Sequence, residues 1–191
     1  LKGQLGSGPR KPYIVHTIHG LAFHDYQSRL LNRIYILAEK SAAKCTDAFI
    51  TVANVMTEKT RAAGIGRDKP YTTAYSAIDE DAFLQKPAEE DIKAFRRKYG
   101  ISDQAIVIIT VARLAELKGH EYIIESAKRL AARYKNCCWL FVGDGALTER
   151  IKKQIRMASL GYRIKLTGLL QPEQIPLAIH ASDILVHCSL R

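Results

Sequence analysis

The chain has 191 residues, 47% of them hydrophobic and 25% charged, and its formal net charge at pH 7 is +10. This composition excludes an intrinsically disordered chain, and 12 glycines and 6 prolines without a period exclude a collagen-like or low-complexity protein. No apolar run approaches the roughly 18 residues that a membrane-spanning helix requires. The basic charge leaves nucleic acid, anionic lipid and phosphate-bearing small molecules as candidate partners.

Strand-like and helix-like segments alternate along the first half of the chain. Short β-rich runs predict strands, and apolar residues at helical spacing predict helices between them. The predicted strands are Tyr13–Ile18, Ala48–Val52 and Tyr71–Tyr75, and the predicted helices are Gln27–Cys45 and Val55–Ala63. The following stretch from Phe83 to Glu90 has no apolar period, which predicts a linker between two domains.

The second half of the chain repeats this alternation with more apolar strands. The predicted strands are Ala105–Ala112, Cys138–Val142, Ile164–Thr167 and Ile184–His187, and the predicted helices are Ile92–Tyr99, His120–Tyr134, Leu147–Ala158 and Pro172–Ala181. Near-unbroken apolar strands are expected where both faces of a sheet are covered, and short connections suit βα units. The sequence therefore predicts an α/β fold with parallel sheets, in which ligands bind beyond the carboxyl ends of the strands.

Two cations follow the strand Ala105–Ala112. Arg113 leaves the end of this strand, and Lys118 falls at the entry to the next helix. A helix start offers free N–H donors and the two side chains supply positive charge, so the loop suits a diphosphate. A loop with two solvated cations is the alternative interpretation.

Three other strand ends carry candidate functional residues. His19 follows the first strand, where an imidazole can orient a hydroxyl or shuttle a proton. Gly143 lets a ligand approach the backbone, although Thr148 stands where the dinucleotide fingerprint requires its third glycine. Leu169 and Leu170 form an apolar lip suited to a nucleobase, with an ordinary βα loop as the alternative.

Charge and cysteine patterns bear on location. The four cysteines show neither a metal-site spacing nor a disulfide framework, which favours reduced thiols in the cytoplasm. Arg29, Arg33, Lys40 and Lys44 share one face of a predicted helix, which suits an anionic membrane surface or simply a solvated face. The sequence thus predicts a cytoplasmic protein, with peripheral association at the inner membrane face as a further expectation.

Taken in order, these motifs resemble the middle of a retaining glycosyltransferase of family 4, which has the two-domain GT-B fold. The resemblance covers nearly all 191 residues. Each motif is weak alone, and the order of the whole set makes the resemblance specific. The motifs are His16–Gly20, Tyr75–Asp79 with Phe83, Ala112–Leu114, Lys118–His120, Val142–Gly145, Thr167–Gly168, and Ala181–Ile184 leading to Ser189–Leu190.

The resemblance implies a GT-B type α/β protein containing parts of two Rossmann-like domains. Residues 1–85 would be the C-terminal part of the acceptor-side domain, and residues 86–191 the first part of the nucleotide-sugar donor domain. The implied activity is transfer of a sugar from a nucleoside-diphosphate sugar to a glycan or lipid-linked acceptor. The resemblance further implies retention of configuration, no metal or other cofactor, and a role in polysaccharide biosynthesis.

The resemblance also implies roles for individual residues. Arg113 and Lys118 would hold the donor diphosphate and stabilise the charge of the leaving group. His19 would be catalytic, contacting the donor sugar or the transition state. Gly143 would line the donor site, and Leu169 and Leu170 would approach the base.

The sequence departs from the family pattern at three places. Ala77 and Ala112 stand where the family usually has glycine, and the family's Glu-rich donor motif would begin after Arg191. We therefore expect an internal fragment of a longer protein, which places the activity in the parent protein.

Three other functions are alternatives for this sequence. A nucleotide-sugar epimerase of the same fold would need a histidine–carboxylate pair for proton removal, which the sequence does not suggest. A basic nucleic-acid-binding module would interleave Lys and Arg with exposed aromatic residues, whereas the aromatic residues here are dispersed, so no nucleic-acid partner is predicted. A family member that has lost catalysis is the remaining alternative.

Overall fold

The computed structural model describes residues 12–190, so the outer ends of the two predicted domains, residues 1–11 and 191, lie outside the described residues. The chain divides into two compact units, residues 1–78 and 79–191. Each unit contains a parallel sheet with helical crossovers, which confirms the predicted α/β fold.

The first unit contains a three-stranded parallel sheet in the order β1-β2-β3. Its elements are β1 (Val15–Ile18), α1 (Arg29–Ala43), β2 (Ala48–Thr51), α2 (Asn54–Ala62) and β3 (Tyr71–Thr73). The core is small and centres on Phe49, which is 1% exposed and stacks on Tyr71 with ring centroids 4.7 Å apart. Ile18 and Ile65 pack against the same cluster.

The second unit contains a four-stranded parallel sheet. Its elements are α3 (Asp81–Leu84), α4 (Glu89–Lys98), β4 (Ile106–Val111), α5 (His120–Arg133), β5 (Cys137–Val142), α6 (Thr148–Met157), β6 (Ile164–Gly168), a 3₁₀ turn (Pro172–Gln174), α7 (Ile175–His180) and β7 (Ile184–Leu185). All six residues of β5 are buried, because helices cover both faces of the sheet. Successive side chains of β5 therefore enter two different cores.

One core of the second unit lies under α5 and α6, and it receives Trp139 and Phe141 from β5. The other lies under α4 and α7, and it receives Cys138, Leu140 and Val142. Each core is contained within this unit, and the strict alternation along β5 fixes its register against both neighbouring strands.

The strand order β6-β5-β4-β7 creates a topological switch point. The chain runs outward from β4 through β5 to β6, and then returns to place β7 on the free side of β4. The switch point therefore lies at the carboxyl ends of β4 and β7. In open α/β sheets, ligands bind at such a point.

The structure differs from the predicted elements at two places. The first two residues of the predicted linker, Phe83 and Leu84, belong to helix α3. The Phe83 carbonyl oxygen lies 2.9 Å from His180 Nε2 on α7, and this segment belongs to the second unit. The predicted helix from Pro172 to Ala181 is divided into a 3₁₀ turn and α7, with Pro176 in the first turn of α7. Proline lacks the N–H that a continuous helix needs in its interior, which accounts for the break.

Candidate functional site

The first half of the loop between β4 and α5 packs against the loop that follows β5. Leu114 N–H donates to the Asp144 carbonyl at 3.0 Å, and Leu147 N–H donates to the Leu114 carbonyl at 2.9 Å. A Cβ on Gly143 would overlap the carbonyl oxygen of Ala112, and one on Gly145 would overlap that of Leu114. The glycines therefore allow two strand-exit loops to approach closely. The predicted approach of a ligand to Gly143 stays a prediction.

The second half of the same loop packs against the end of β7. Leu190 N–H donates to the Leu117 carbonyl at 2.8 Å, and Ser189 Oγ donates to the same oxygen at 3.3 Å. Gly119 has a positive φ of 74°, and a Cβ there would overlap the carbonyl oxygen of Cys188. The loop from Ala112 to Gly119 thus fills the space between the exits of β5 and β7.

The two predicted phosphate-binding cations stand on this loop, on either side of the β4 exit. Arg113 lies on the β5 side; its side chain is exposed and has no ion pair or hydrogen bond among residues 12–190. Lys118 lies on the β7 side; it is half-buried, and its Nζ is 3.5 Å from Ser189 Oγ. The position of Lys118 is the topological switch point, where a ligand of this fold is expected.

Helix α5 begins at this point without a side-chain cap. Gly119 is the N-cap residue, and no side chain accepts a hydrogen bond from the first turn. The N–H groups of that turn and the positive end of the helix dipole favour an anion. Glu121 is the acidic residue of this turn and is exposed. The loop and the helix start together form a basic, amide-bearing surface that suits a diphosphate.

His120 lies directly below this surface and is 1% exposed. Its ring meets Phe141 edge-on at 5.1 Å, and neither ring nitrogen has a hydrogen-bond partner among the described residues. Burial lowers its pKa below the ordinary value; Glu121 opposes this shift and His187 reinforces it. The neutral imidazole is therefore favoured, and His120 supports the loop as a packing residue.

Asp144 and Thr148 stabilise the turn after Gly143. Asp144 Oδ1 accepts hydrogen bonds from Gly145 N–H, at 2.7 Å, and from the Thr148 hydroxyl. These two bonds hold the pKa of the Asp144 carboxyl below its ordinary value, the Thr148 bond contributing most. Thr148, which occupies the third position of the incomplete dinucleotide fingerprint, therefore serves the local turn.

The structure separates the two leucines of the predicted apolar lip. Leu169 is 79% exposed, whereas Leu170 is 8% exposed and belongs to the core under α4 and α7. Because Leu170 is held in this core, an exposed lip could be formed only by the side chain of Leu169. Contact of either residue with a base remains a prediction.

The histidines of the first unit lie at and beyond the end of β1. His19 is exposed just past the strand, whereas His16 is half-buried with its ring 5.4 Å from that of Phe49. His24 is also half-buried: its main chain is bound by the Asn32 side chain, and its Nδ1 is buried without a partner among the described residues. His19 is therefore the histidine of this loop that is open to solvent, and its catalytic role remains a prediction.

Sequence reasoning assigned no function to Ser189. Its position became apparent only from the pairing of β7 with β4, which brings the loop after β7 onto Lys118. A correct prediction of the strand order would have located Ser189, because ligands bind where the order of parallel strands reverses. Within residues 12–190, no group of three or more His, Cys, Asp or Glu side chains is placed to hold a metal ion.

The family of the chain follows from comparison with known proteins. Residues 91–191 match the family model described as glycosyl transferases group 1, and the chain belongs to this family. This agrees with the resemblance seen in the sequence at the level of the glycosyltransferase group. The comparisons favour neither an epimerase nor a nucleic-acid-binding module.

Similar proteins include transferases with different named substrates. The chain is 30% identical over 175 residues to an α-D-kanosaminyltransferase from Streptomyces kanamyceticus, covering 90% of this chain and 45% of that protein. It is 28% identical over 182 residues to an Escherichia coli UDP-Gal:α-D-GlcNAc-diphosphoundecaprenol α-1,3-galactosyltransferase, covering 94% and 46%. The chain therefore spans about half the length of these relatives.

Solved structures show the same fold. Anabaena HepE in complex with UDP-glucose superposes with a TM-score of 0.75 at 23% identity, covering 93% of this chain and 47% of that chain. Sucrose-phosphate synthase from Thermosynechococcus elongatus superposes with a TM-score of 0.72 at 19% identity, covering 92% and 44%. The fold is that of GT-B glycosyltransferases.

Proposed function

We propose that the protein containing this chain transfers a sugar from a nucleoside-diphosphate sugar to a glycan or a lipid-linked acceptor, with retention of configuration. The observation that carries the proposal is the placement of Lys118 and the uncapped start of α5 at the switch point between β4 and β7. An anionic diphosphate meets complementary charge and free amides there. Residues 86–191 act as the donor domain, residues 1–78 belong to the acceptor side, and α3 between them contacts α7 of the donor domain.

In this reaction the bond between the anomeric carbon and the donor phosphate oxygen breaks. The acceptor hydroxyl oxygen forms the new bond to that carbon, its proton passes to the departing phosphate oxygen, and the nucleoside diphosphate leaves. Negative charge grows on the departing diphosphate, so fixed cations lower the barrier most when they stand next to it. Arg113 and Lys118 supply this charge, and Gly143 lets the loop that carries Arg113 lie close to the sheet. Leu169 borders the base, and Leu170 supports this position from the core.

Retention and the acceptor class are supported by the named relatives. The name of the E. coli relative combines a UDP-galactose donor with an α-1,3 linkage and a diphosphoundecaprenol-linked acceptor. Transfer from an α-linked nucleotide sugar to an α-glycoside is transfer with retention. A role in polysaccharide biosynthesis follows for the present chain if its acceptor is of the same kind.

We infer a cytoplasmic location with peripheral binding at the inner membrane face. The exposed cations Arg29, Arg33, Lys40 and Lys44 on and just after α1 support this inference, because anionic lipids attract such residues. Among the described residues, no helix has the length and hydrophobicity needed to span a bilayer.

Nucleotide affinity tests the donor site directly. We expect Arg113→Gln and Lys118→Met to weaken binding of UDP or another nucleoside diphosphate roughly 10- to 150-fold each, the effect of losing about 1.5–3 kcal/mol of charge-assisted hydrogen bonding. Titration calorimetry on the full chain measures this. Lys128→Met is the matched control, since Lys128 is an exposed lysine farther along α5 that pairs with Glu125. Equal affinity in both loop variants and the wild type would overturn the donor assignment.

We also propose that His19 acts as a catalytic residue. We expect His19→Ala to reduce turnover by 10²- to 10⁴-fold, the usual contribution of general acid–base catalysis, while nucleotide affinity changes little. Steady-state kinetics of the complete enzyme provide the measurement. His24→Ala is the control on the same loop, and unchanged turnover in His19→Ala would remove the proposed role.

A further inference from the structure

A second cluster of cations lies at the opposite edge of the second sheet, far along the strands from the candidate donor site. It surrounds a cavity of about 370 Å³ at the amino ends of β4, β5 and β6. The cavity is open to solvent and lies between the loop before β4, the turn before β5 and the turn before β6. Its lining includes Lys135 and Arg163.

Arg163 is the buried cation of this cavity, with 8% of its surface exposed. Its Nη1 donates to the carbonyls of Tyr134 and Cys137, both at 3.1 Å, and its Nε is buried without a hydrogen-bond partner among the described residues. The two carbonyls accept hydrogen bonds from one nitrogen of the guanidinium. No carboxylate within residues 12–190 forms an ion pair with Arg163. A buried charge without a counter-ion is unfavourable by several kcal/mol.

Further cations stand around the same cavity. Lys135 lines it, and Nζ of Lys165 lies 3.7 Å from the position that a Cβ would take on Gly100. No aspartate or glutamate is among the lining residues that the structure describes. Asp103 lies in the neighbouring loop, exposed, and its carbonyl accepts a hydrogen bond from Arg96. The cavity therefore has an excess of positive charge that an anion would neutralise.

Uncharged donors complete the set. Ser102, Gln104, Asn136 and Tyr162, whose side chains carry hydroxyl or amide groups, are also lining residues. Hydroxyl, amide and guanidinium N–H groups bind the oxygens of a phosphate, and the volume leaves room for a small organic substituent. The ring of Tyr162 also lies 5.2 Å from the Arg163 guanidinium carbon, which orients that side chain.

We propose that this cavity is a binding site for a phosphate group, carried either by inorganic phosphate or by a small phosphomonoester. The site is separate from the donor site, because it lies at the amino ends of strands whose carboxyl ends carry Arg113 and Lys118. Its occupancy stabilises the second unit by neutralising Arg163. The inference does not rest on the proposed glycosyl transfer.

Thermal unfolding followed by the fluorescence of Trp139 tests the proposal, because this residue is buried in β5. Inorganic phosphate or glucose 6-phosphate at about ten times its dissociation constant should raise the melting temperature by about 3–6 °C relative to chloride at equal ionic strength. A rise in melting temperature with both probes supports recognition of the phosphate group. A larger rise with glucose 6-phosphate than with inorganic phosphate identifies a phosphomonoester as the preferred ligand.

Variants distinguish this cavity from the donor site. The comparison is made in the Lys118→Met background, in which phosphate binding at the donor site is weakened. In that background the rise should persist, Arg163→Met should abolish it, and Arg150→Met at an exposed arginine should leave it unchanged. If Arg163→Met fails to fold, the double variant Lys135→Met with Lys165→Met replaces it and should lose at least half of the rise. Absence of any rise in the wild type, or loss of the rise in Lys118→Met alone, would overturn the proposal and leave Arg163 as a cap for two carbonyl groups.

Discussion

At the scale of single residues, His120 combines deep burial with unpaired ring nitrogens. A protonated imidazole in this environment would have no hydrogen-bond acceptor among the described residues, and burial holds its pKa below the ordinary value of about 6.5. The unfolded chain therefore takes up a proton at a higher pH than the folded chain does. Above pH 7 both states are neutral at this position, and the stabilising effect of the neutral ring is lost as the pH falls below 6.5.

We accordingly predict that part of the acid destabilisation of the second unit comes from His120. Melting temperatures of the wild type and of His120→Leu, recorded between pH 8 and pH 5.5, provide the measurement. The wild type should lose more stability than the variant as the pH falls through 6.5. Parallel pH profiles would show that His120 does not contribute.

The sequence predicted where the cationic residues of the β4–α5 loop lie, but not which residues contact them. Arg113 and Lys118 follow a strand that is recognisable by its apolar run, so their place at the carboxyl edge was predictable. Ser189 reaches Lys118 only through the pairing of β7 with β4, which is a contact between distant parts of the chain. The burial of Leu170 rather than Leu169 was also not predictable, because adjacent leucines give no indication of which one faces the core.

At the scale of elements, the glycines after the strands determine how closely the loops approach each other. Gly143 has a φ of 135° and lies against the carbonyl of Ala112, while its N–H donates to the Gly168 carbonyl at 3.0 Å. The exits of β4, β5 and β6 are therefore connected through this one position. A side chain there would separate the loop that carries Arg113 from the sheet.

We predict that Gly143→Ala destabilises the second unit by about 2–4 kcal/mol, because it combines an unfavourable φ with steric overlap. Urea unfolding followed by Trp139 fluorescence measures the effect. Gly161→Ala is the control, since a Cβ at Gly161 meets no atom within 4 Å, and it should change stability by less than about 0.5 kcal/mol. Equal effects of the two substitutions would contradict this account of the loop contact.

The elements themselves were largely predictable, and the deviations have local causes. Apolar β-rich runs bounded by turns gave the strands of both sheets within a few residues. The helix predicted from Pro172 to Ala181 took no account of Pro176, which restricts α7 to Ile175–His180. Helix α3 lies in a segment without a helical apolar period, and a long-range contact from His180 supports it.

At the scale of the whole molecule, each hydrophobic core lies within one unit. Among residues 12–190, the first unit has a single small cluster around Phe49, whereas the second has clusters on both faces of its sheet. Stability rises with the apolar surface that a unit buries, so the first unit is expected to be the less stable one.

We predict two unfolding transitions on heating. Far-UV circular dichroism reports the helices of both units, whereas the single tryptophan, Trp139, reports the second unit only. Loss of ellipticity should therefore begin at a lower temperature than the change in tryptophan fluorescence. Coincident curves from the two probes would show that the chain unfolds as one cooperative body.

The contact of the β4–α5 loop with residues 188–190 has a consequence for biosynthesis. The carbonyl of Leu117 receives hydrogen bonds from Ser189 and Leu190, which follow β7, and Gly119 packs on Cys188. Lys118 therefore acquires its final surroundings only after β7 has emerged from the ribosome and paired with β4. A nascent chain that stops before β7 holds the cationic loop unsupported, so competence to bind an anion at this edge arises only once β7 has been synthesised.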